Sequence, residues 1–268
     1  MNNTKIEWCD QTWSPVTGCL HDCPYCYARQ MVKRWQGYKA EDGTITTHNP
    51  HKTAEQPAVV LTAPLITSSK HGWTRNAPFP FGFDPTLYEY RLTEPAECKQ
   101  SQDIFVCSMA DLFGDWIPDD WITKVFDACQ RAPQHRYLFV TKNPARYIGL
   151  YQNDKLLMGN NIWYGSTVTS QDEPFMYVDD KSVNTFISIE PILGEFGRKN
   201  ALKDSGVKLV IIGAETGTRK GKVVPDRIWI ENAVDACREA GVSVFLKDSV
   251  APYWDGPLLR QLPWKDAE

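Results

Sequence analysis

Runs of residues that are apolar on both faces recur along the chain at 104–109, 136–141, 162–168, 185–189, 208–213 and 243–246. In the run Leu209, Val210, Ile211 and Ile212 neither face is polar, which is the pattern of a parallel strand covered by helices. Helical patterns fill most of the intervals. Pro118 opens a helix over 121–131, with Ile122, Val125, Phe126 and Cys129 at helical spacing, and Pro225 with Asp226 opens another over 228–240, with Ile230, Ala233, Val234 and Cys237, closed by Gly241. A first strand near 12–16 and a helix over about 27–35 precede them. Strands alternating with helical crossovers predict an α/β fold, a full or partial (β/α) barrel of TIM type, ahead of an open doubly wound sheet.

Residues 37–100 break this rhythm. Pro50, Pro57, Pro64, Pro78, Pro80, Pro85 and Pro95 fall there, with short strands expected at 59–62 and 87–92. The stretch reads as an irregular insertion after the first helix of a single domain spanning 1–268, either a substrate lid or a wrapped structural arm.

Composition narrows the function classes. Hydrophobic residues at 42% and charged residues at 23% exclude a largely disordered chain. A net charge of −4 means that any nucleic-acid contact is local. The amino terminus lacks a secretion signal and no window approaches the roughly 18 apolar residues of a membrane span, so a cytoplasmic protein with no membrane partner is expected.

Three of the eight cysteines, Cys19, Cys23 and Cys26, crowd into eight residues, spaced Cys-x3-Cys-x2-Cys on a loop between the first strand and the first helix. In a reducing compartment that crowding points to metal ligation rather than disulfides. Three thiolates can hold three irons of a 4Fe–4S cubane and leave the fourth iron without a protein ligand. The competing reading is a structural zinc site, which needs a fourth ligand such as Cys9, His21 or His48.

The loop resembles that of the radical S-adenosylmethionine (SAM) superfamily, including the aromatic Tyr25 before the last cysteine. Further segments resemble an uncharacterised family of phage- and prophage-encoded three-cysteine proteins with a radical-SAM-like core. They are Trp13 to Cys19, Cys26 to Ala28, Ser108 to Phe113, Thr141 to Pro144, Ile162 to Gly165, Ser188 to Pro191, Gly213 to Gly217 and Phe245 to Lys247. Spore photoproduct lyase is a more distant resemblance. The family pattern departs here in the gap between the first two cysteines and in Ala214 and Thr216. The resemblance implies a 4Fe–4S cluster on the three cysteines, SAM on the free iron, reductive cleavage of SAM to a 5′-deoxyadenosyl radical, and an electron donor such as flavodoxin or ferredoxin. Tyr25 would lie beside cluster and adenine.

Other polar residues cluster where strands are expected to end, the reactive face of such barrels. By resemblance, Ser108 and Asp111 after the second strand accept from the SAM amino group, and Lys142 after the third neutralises its carboxylate. Ser166 or Thr167, placed after the fourth strand, binds ribose or carboxylate. Glu190 and Glu215 follow apolar strands and must face the cavity or a cation such as Lys247, in ribose binding, substrate binding or acid–base work. Arg219, Lys220 and Lys222 form a basic turn suited to phosphates, and Trp73, Trp116 and Trp254 are candidate base platforms. Cys107, read as lying inside the second strand, is a candidate hydrogen-atom donor, with core packing as the competing reading. These residues lead to a radical SAM enzyme acting on DNA, another nucleic acid or a nucleotide. The alternatives are radical modification of a peptide or partner protein, and a non-enzymatic zinc or iron–sulfur module of phage origin.

Overall fold

A computed structural model of the chain describes residues 1–50, 52–53, 58–68, 72–196 and 202–265, so Pro57 of the proline-rich stretch lies outside the described residues. Contacts gather into two units, residues 1–4 with 11–135, and residues 5–10 with 136–268.

The first unit contains β1 (Asn2–Asn3), β2 (Gln11–Trp13), β3 (Val16–Thr17), α1 (Tyr27–Trp35), β4 (Tyr38–Lys39), β5 (Ile45–Thr46), β6 (Val59–Leu61), β7 (Ile66–Ser68), β8 (Thr74–Asn76), β9 (Thr86–Tyr88), α2 (Glu94–Glu97), β10 (Asp103–Val106) and α3 (Asp119–Gln130). β2 runs antiparallel to β1 and parallel to β10, with Thr12 opposite Phe105. α3 starts at Asp119, earlier than the apolar spacing alone predicts, because Asp119 and Asp120 favour the positive end of the helix dipole behind Pro118. It buries Trp121, Ile122, Val125, Phe126 and Cys129.

The proline-rich stretch is partly structural. β9 pairs antiparallel with β3 and parallel with β6, making a three-stranded sheet in the order β3, β9, β6. β9 stops at Tyr88, short of the expected 92, since Glu89–Arg91 forms a 3-10 turn. Arg91 donates there to the Ser14 carbonyl at 2.9 Å and pairs with Glu94 at 2.8 Å.

The second unit contains β11 (Arg136–Thr141), α4 (Pro144–Gln152), β12 (Ile162–Val168), β13 (Asn184–Ile189), β14 (Val207–Ile212), α5 (Arg227–Ala240) and β15 (Ser243–Leu246). All five strands are parallel, and neighbours in the sheet are neighbours in sequence with no reversal of order. The outer edge of β15 is not bare. Leu246 N–H donates to Leu259 O at 2.8 Å and Gln261 N–H to Val244 O at 3.0 Å, which removes an exposed strand edge.

α5 begins at Asp226, whose carboxylate accepts from Ile228 N–H at 3.1 Å, and ends at Gly241 in the left-handed region, φ 67°. Its inner face, Ile230, Ala233, Val234 and Cys237, packs on Ile187, Ile189, Ile212, Val244 and Leu246. Each large aliphatic enclosed this way stabilises the unit by about 1.5–3 kcal/mol. Helices fill the intervals before β12 and before β15, but among the described residues none lies between β12 and β13 or between β13 and β14. After β12 the polar segment folds on itself instead, with Glu173 accepting from the Thr169 N–H at 2.8 Å and its hydroxyl at 2.6 Å. Among the described residues no helix is long and apolar enough to cross a membrane.

Candidate functional site

In the first unit the cysteine loop leaves β3 and enters α1, on the side where β2 and β10 end. Gly18 opens it at φ 90°, its N–H donating to Met109 O at 3.0 Å. A side chain there has no room, because a Cβ would lie 2.3 Å from the Asp84 carbonyl oxygen. Cys19 N–H donates to Phe83 O at 3.3 Å and Cys26 N–H to Cys23 O at 3.2 Å, so backbone bonds hold the loop at both ends. Cys26 is the N-cap of α1, its sulfur accepting from Arg29 N–H at 3.4 Å.

Arg29 fastens the loop from within α1. It donates to the Cys19 carbonyl at 3.2 Å, lies 3.5 Å from the Asp22 carboxylate and stacks over Phe83 at 4.9 Å. Burial pushes the Cys19 thiol up to about 12, with Asp111, Cys26 and Cys23 adding to the rise. No cysteine is in a disulfide. Among the described residues, no three His, Cys, Asp or Glu side chains form a ready-made metal site. Tyr25 is half-buried in the loop between Cys23 and Cys26.

The segment after β10 meets this loop. Asp111, buried, accepts from Phe113 N–H at 3.0 Å through one oxygen and hydrogen-bonds His21 Nε2 at 2.7 Å through the other. It therefore caps a turn and also holds His21, which stands in the gap between Cys19 and Cys23. Trp116 packs edge-on against the His21 ring at 4.8 Å and lies on Gly114, so here it supports the loop. Tyr27 OH donates to Ser108 O at 2.8 Å, joining α1 to the same segment.

Cys107 corrects the sequence reading. The strand expected over 104–109 ends at Val106, and Cys107 turns out of it at φ 58° to accept from Ala110 N–H at 2.9 Å. It is buried, and burial pushes its thiol up to about 12. The turn arises because the following Ser108–Phe113 segment is tied to Gly18 and Tyr27 rather than to the β ladder.

The second unit carries its polar residues at the carboxyl ends of its five strands. Lys142 follows β11, half-buried. Ser166 and Thr167 lie inside β12 rather than after it, since pairing with β13 continues to Val168 opposite Ile189. Ser166 is buried and its hydroxyl accepts from Met176 N–H at 2.8 Å, fixing the segment that follows the strand. Glu190, beyond β13, pairs with Lys247, beyond β15, at 2.5 Å, and accepts from the Ser188 hydroxyl at 2.9 Å. Gly213 lies between them, where a Cβ would come within 2.9 Å of Glu190 Oε1.

Glu215 does not take Lys247. It is buried and accepts from Arg219 Nε at 2.6 Å and Nη2 at 2.7 Å, and from Val223 N–H at 3.3 Å. This fork holds its carboxyl below the usual carboxylate range. Arg219 is thus committed to the loop's own structure, while Lys220 is exposed and Lys222 half-buried. Trp254 donates its indole N–H to Pro257 O at 3.2 Å and packs on the core of this unit.

The arrangement therefore separates into a sulfur-rich loop backed by His21 and Asp111 in one unit, and two carboxylate–cation pairs in the other. Arg29 and the His21–Asp111 contact were not anticipated. A histidine inside the cysteine spacing and an arginine one turn into the following helix were the available signals. No curated protein and no solved structure matches the chain. A family model described as a protein of unknown function (DUF5131) matches residues 3–251, taking in the cysteine loop and all five strand ends of the second unit, and the chain belongs to that family.

Proposed function

We propose that the chain is a radical SAM enzyme that holds a 4Fe–4S cluster through Cys19, Cys23 and Cys26 and acts on a nucleic acid or nucleotide. The observation that carries this reading is the loop itself: three cysteines within eight residues, held at the carboxyl end of parallel β2 and β10 and closed by a helix capped by the last of them. The donor set suits such a cluster in its chemistry, being three soft sulfurs carried on one loop. The sequential order of five parallel strands without reversal supports the barrel-type reading over a doubly wound sheet.

When bound, the cluster supplies the electron that cleaves SAM to methionine and a 5′-deoxyadenosyl radical. The chain's own residues orient and shield. Arg29 keeps the loop closed by holding the Cys19 carbonyl and Asp22. Cys26, as the cap of α1, ties the last of the three sulfurs to the start of that helix. Asp111 orients His21 beside the loop. In the basic turn, Arg219 being taken by Glu215, phosphate contacts fall to Lys220 and Lys222.

Anaerobic reconstitution with iron and sulfide tests this. A brown protein that, once reduced, converts SAM to 5′-deoxyadenosine supports the reading. A colourless protein with one tightly held zinc, or a cluster that leaves SAM intact, removes it.

A further inference from the structure

One short segment after β10 holds the cysteine loop along its whole length. Met109 O accepts from Gly18 N–H at 3.0 Å, the Asp111 carboxylate accepts from His21 Nε2 at 2.7 Å, and Ser108 O accepts from Tyr27 OH at 2.8 Å. These three ties fall immediately before Cys19, midway between Cys19 and Cys23, and immediately after Cys26.

Of the three, only the middle tie joins two side chains. Asp111 is 5% exposed, and its other oxygen is fixed by Phe113 N–H at 3.0 Å, so the acceptor is held in place. A carboxylate only accepts, so His21 Nε2 carries the hydrogen of this bond. Trp116 packs edge-on against the imidazole at 4.8 Å and itself rests on Gly114, where a Cβ would come within 2.4 Å of the indole. His21 is thereby fixed in direction by Asp111 and in place by Trp116, although it belongs to a loop.

We propose that the His21–Asp111 pair is a positioning device that fixes the cysteine loop before a metal group enters, and that His21 is not itself a ligand. A loose loop loses backbone freedom when a metal gathers its thiols, and that loss subtracts from affinity. A loop already fixed on residues 108–111 avoids most of it. The ties on either side of His21 are made by an amide and a phenol that only hold the chain, and His21 stands in series with them. Carboxylates also stand behind imidazoles that ligate a metal through the other ring nitrogen, and suitable variants separate the two roles. The proposal rests on the metal-binding part of the reading above and adds what makes three neighbouring thiols into a site.

Anaerobic titration of the full chain with Co²⁺ alone, read by its thiolate charge-transfer absorption, tests it. His21→Phe keeps a ring against Trp116 but cannot donate, and is expected to weaken Co²⁺ binding about ten- to a hundred-fold. His21→Gln restores an N–H donor and is expected to return affinity to within about three-fold of wild type, with the same ligand-field bands. Tyr27→Phe, which strands no charge and so keeps the test open should His21→Phe fail to fold, is expected to weaken binding about three-fold, the worth of one neutral hydrogen bond. Unchanged affinity in both phenylalanine variants overturns the proposal. So does a His21→Gln variant that binds as weakly as His21→Phe with altered ligand-field bands, because the imidazole is then a ligand. A wild-type chain that takes up neither Co²⁺ nor iron removes the proposal and the radical reading together. The expected order of variants with a cluster that leaves SAM intact keeps the positioning role and removes the radical chemistry, whereas SAM cleavage with full iron content and wild-type Co²⁺ affinity in His21→Phe and Tyr27→Phe does the reverse.

Discussion

Lys247→Met deletes the ammonium that lies 2.5 Å from Glu190. The two side chains are 24% and 22% exposed, so each is largely withdrawn from water. Breaking a fully buried pair costs about 3–5 kcal/mol by leaving one charge uncompensated. Residual solvent and the Ser188 hydroxyl, which still donates at 2.9 Å, reduce that to about 2 kcal/mol. A loss of that size lowers the melting temperature by about 4–8 °C in a chain of this length. Glu190→Gln should cost a comparable amount, since it strands a mostly buried amine. The double variant should be less destabilised than the sum, with a coupling of at least about 1 kcal/mol.

The pH dependence has a definite sign. Burial by itself pushes the Lys247 amine down, but the charge and hydrogen bond of Glu190, with Glu7, outweigh it and hold the amine above its ordinary value. A raised folded-state value means that the stabilisation is fully present below the unfolded amine's titration near about 10.4 and disappears as pH rises through the folded value. The gap between wild type and Lys247→Met should therefore be flat from neutrality to about pH 10 and close above it. Urea melts followed by circular dichroism measure both quantities. An additive cycle, within about 0.5 kcal/mol, or a gap that widens in alkali would refute the reasoning.

Gly18→Ala forces a methyl group to 2.3 Å from a backbone oxygen at a φ of 90°, so iron bound per chain after reconstitution should fall by more than half although all three cysteines remain. Gly149→Ala, inside α4 with nothing within 4 Å of the new Cβ, should raise stability by about 0.5–1 kcal/mol in the same melts. Glu215→Gln should speed hydrogen exchange at the Val223 amide at pH 7. That difference should vanish as pH falls through the depressed folded-state value of the Glu215 carboxyl, and equal exchange at pH 7 would count against the role given to the Arg219 fork.

Several elements were legible because their cause is local. The helix expected over about 27–35 is α1, the strand expected over 162–168 is β12, and Gly241 ends α5 where its backbone freedom required it. The interval after β12 is not helical as the alternation predicts, and among the described residues no helix lies after β13 either. Short-range hydrogen bonds such as those of Glu173 to Thr169 satisfy that backbone without a helix, and apolar spacing carries no trace of them.

The site divides in the same way. The crowding of Cys19, Cys23 and Cys26 is a property of the covalent chain and would be the same in any fold. Which partner each charge takes was decided only by folding. Asp111 meets His21 across 90 positions, and Glu190 rather than Glu215 receives Lys247 because β13, β14 and β15 lie in register and Gly213 leaves space between the two side chains. Periodicity and spacing are written in neighbouring residues, whereas contacts across a sheet depend on strand order, register and the absence or presence of a single Cβ, none of which a local pattern encodes.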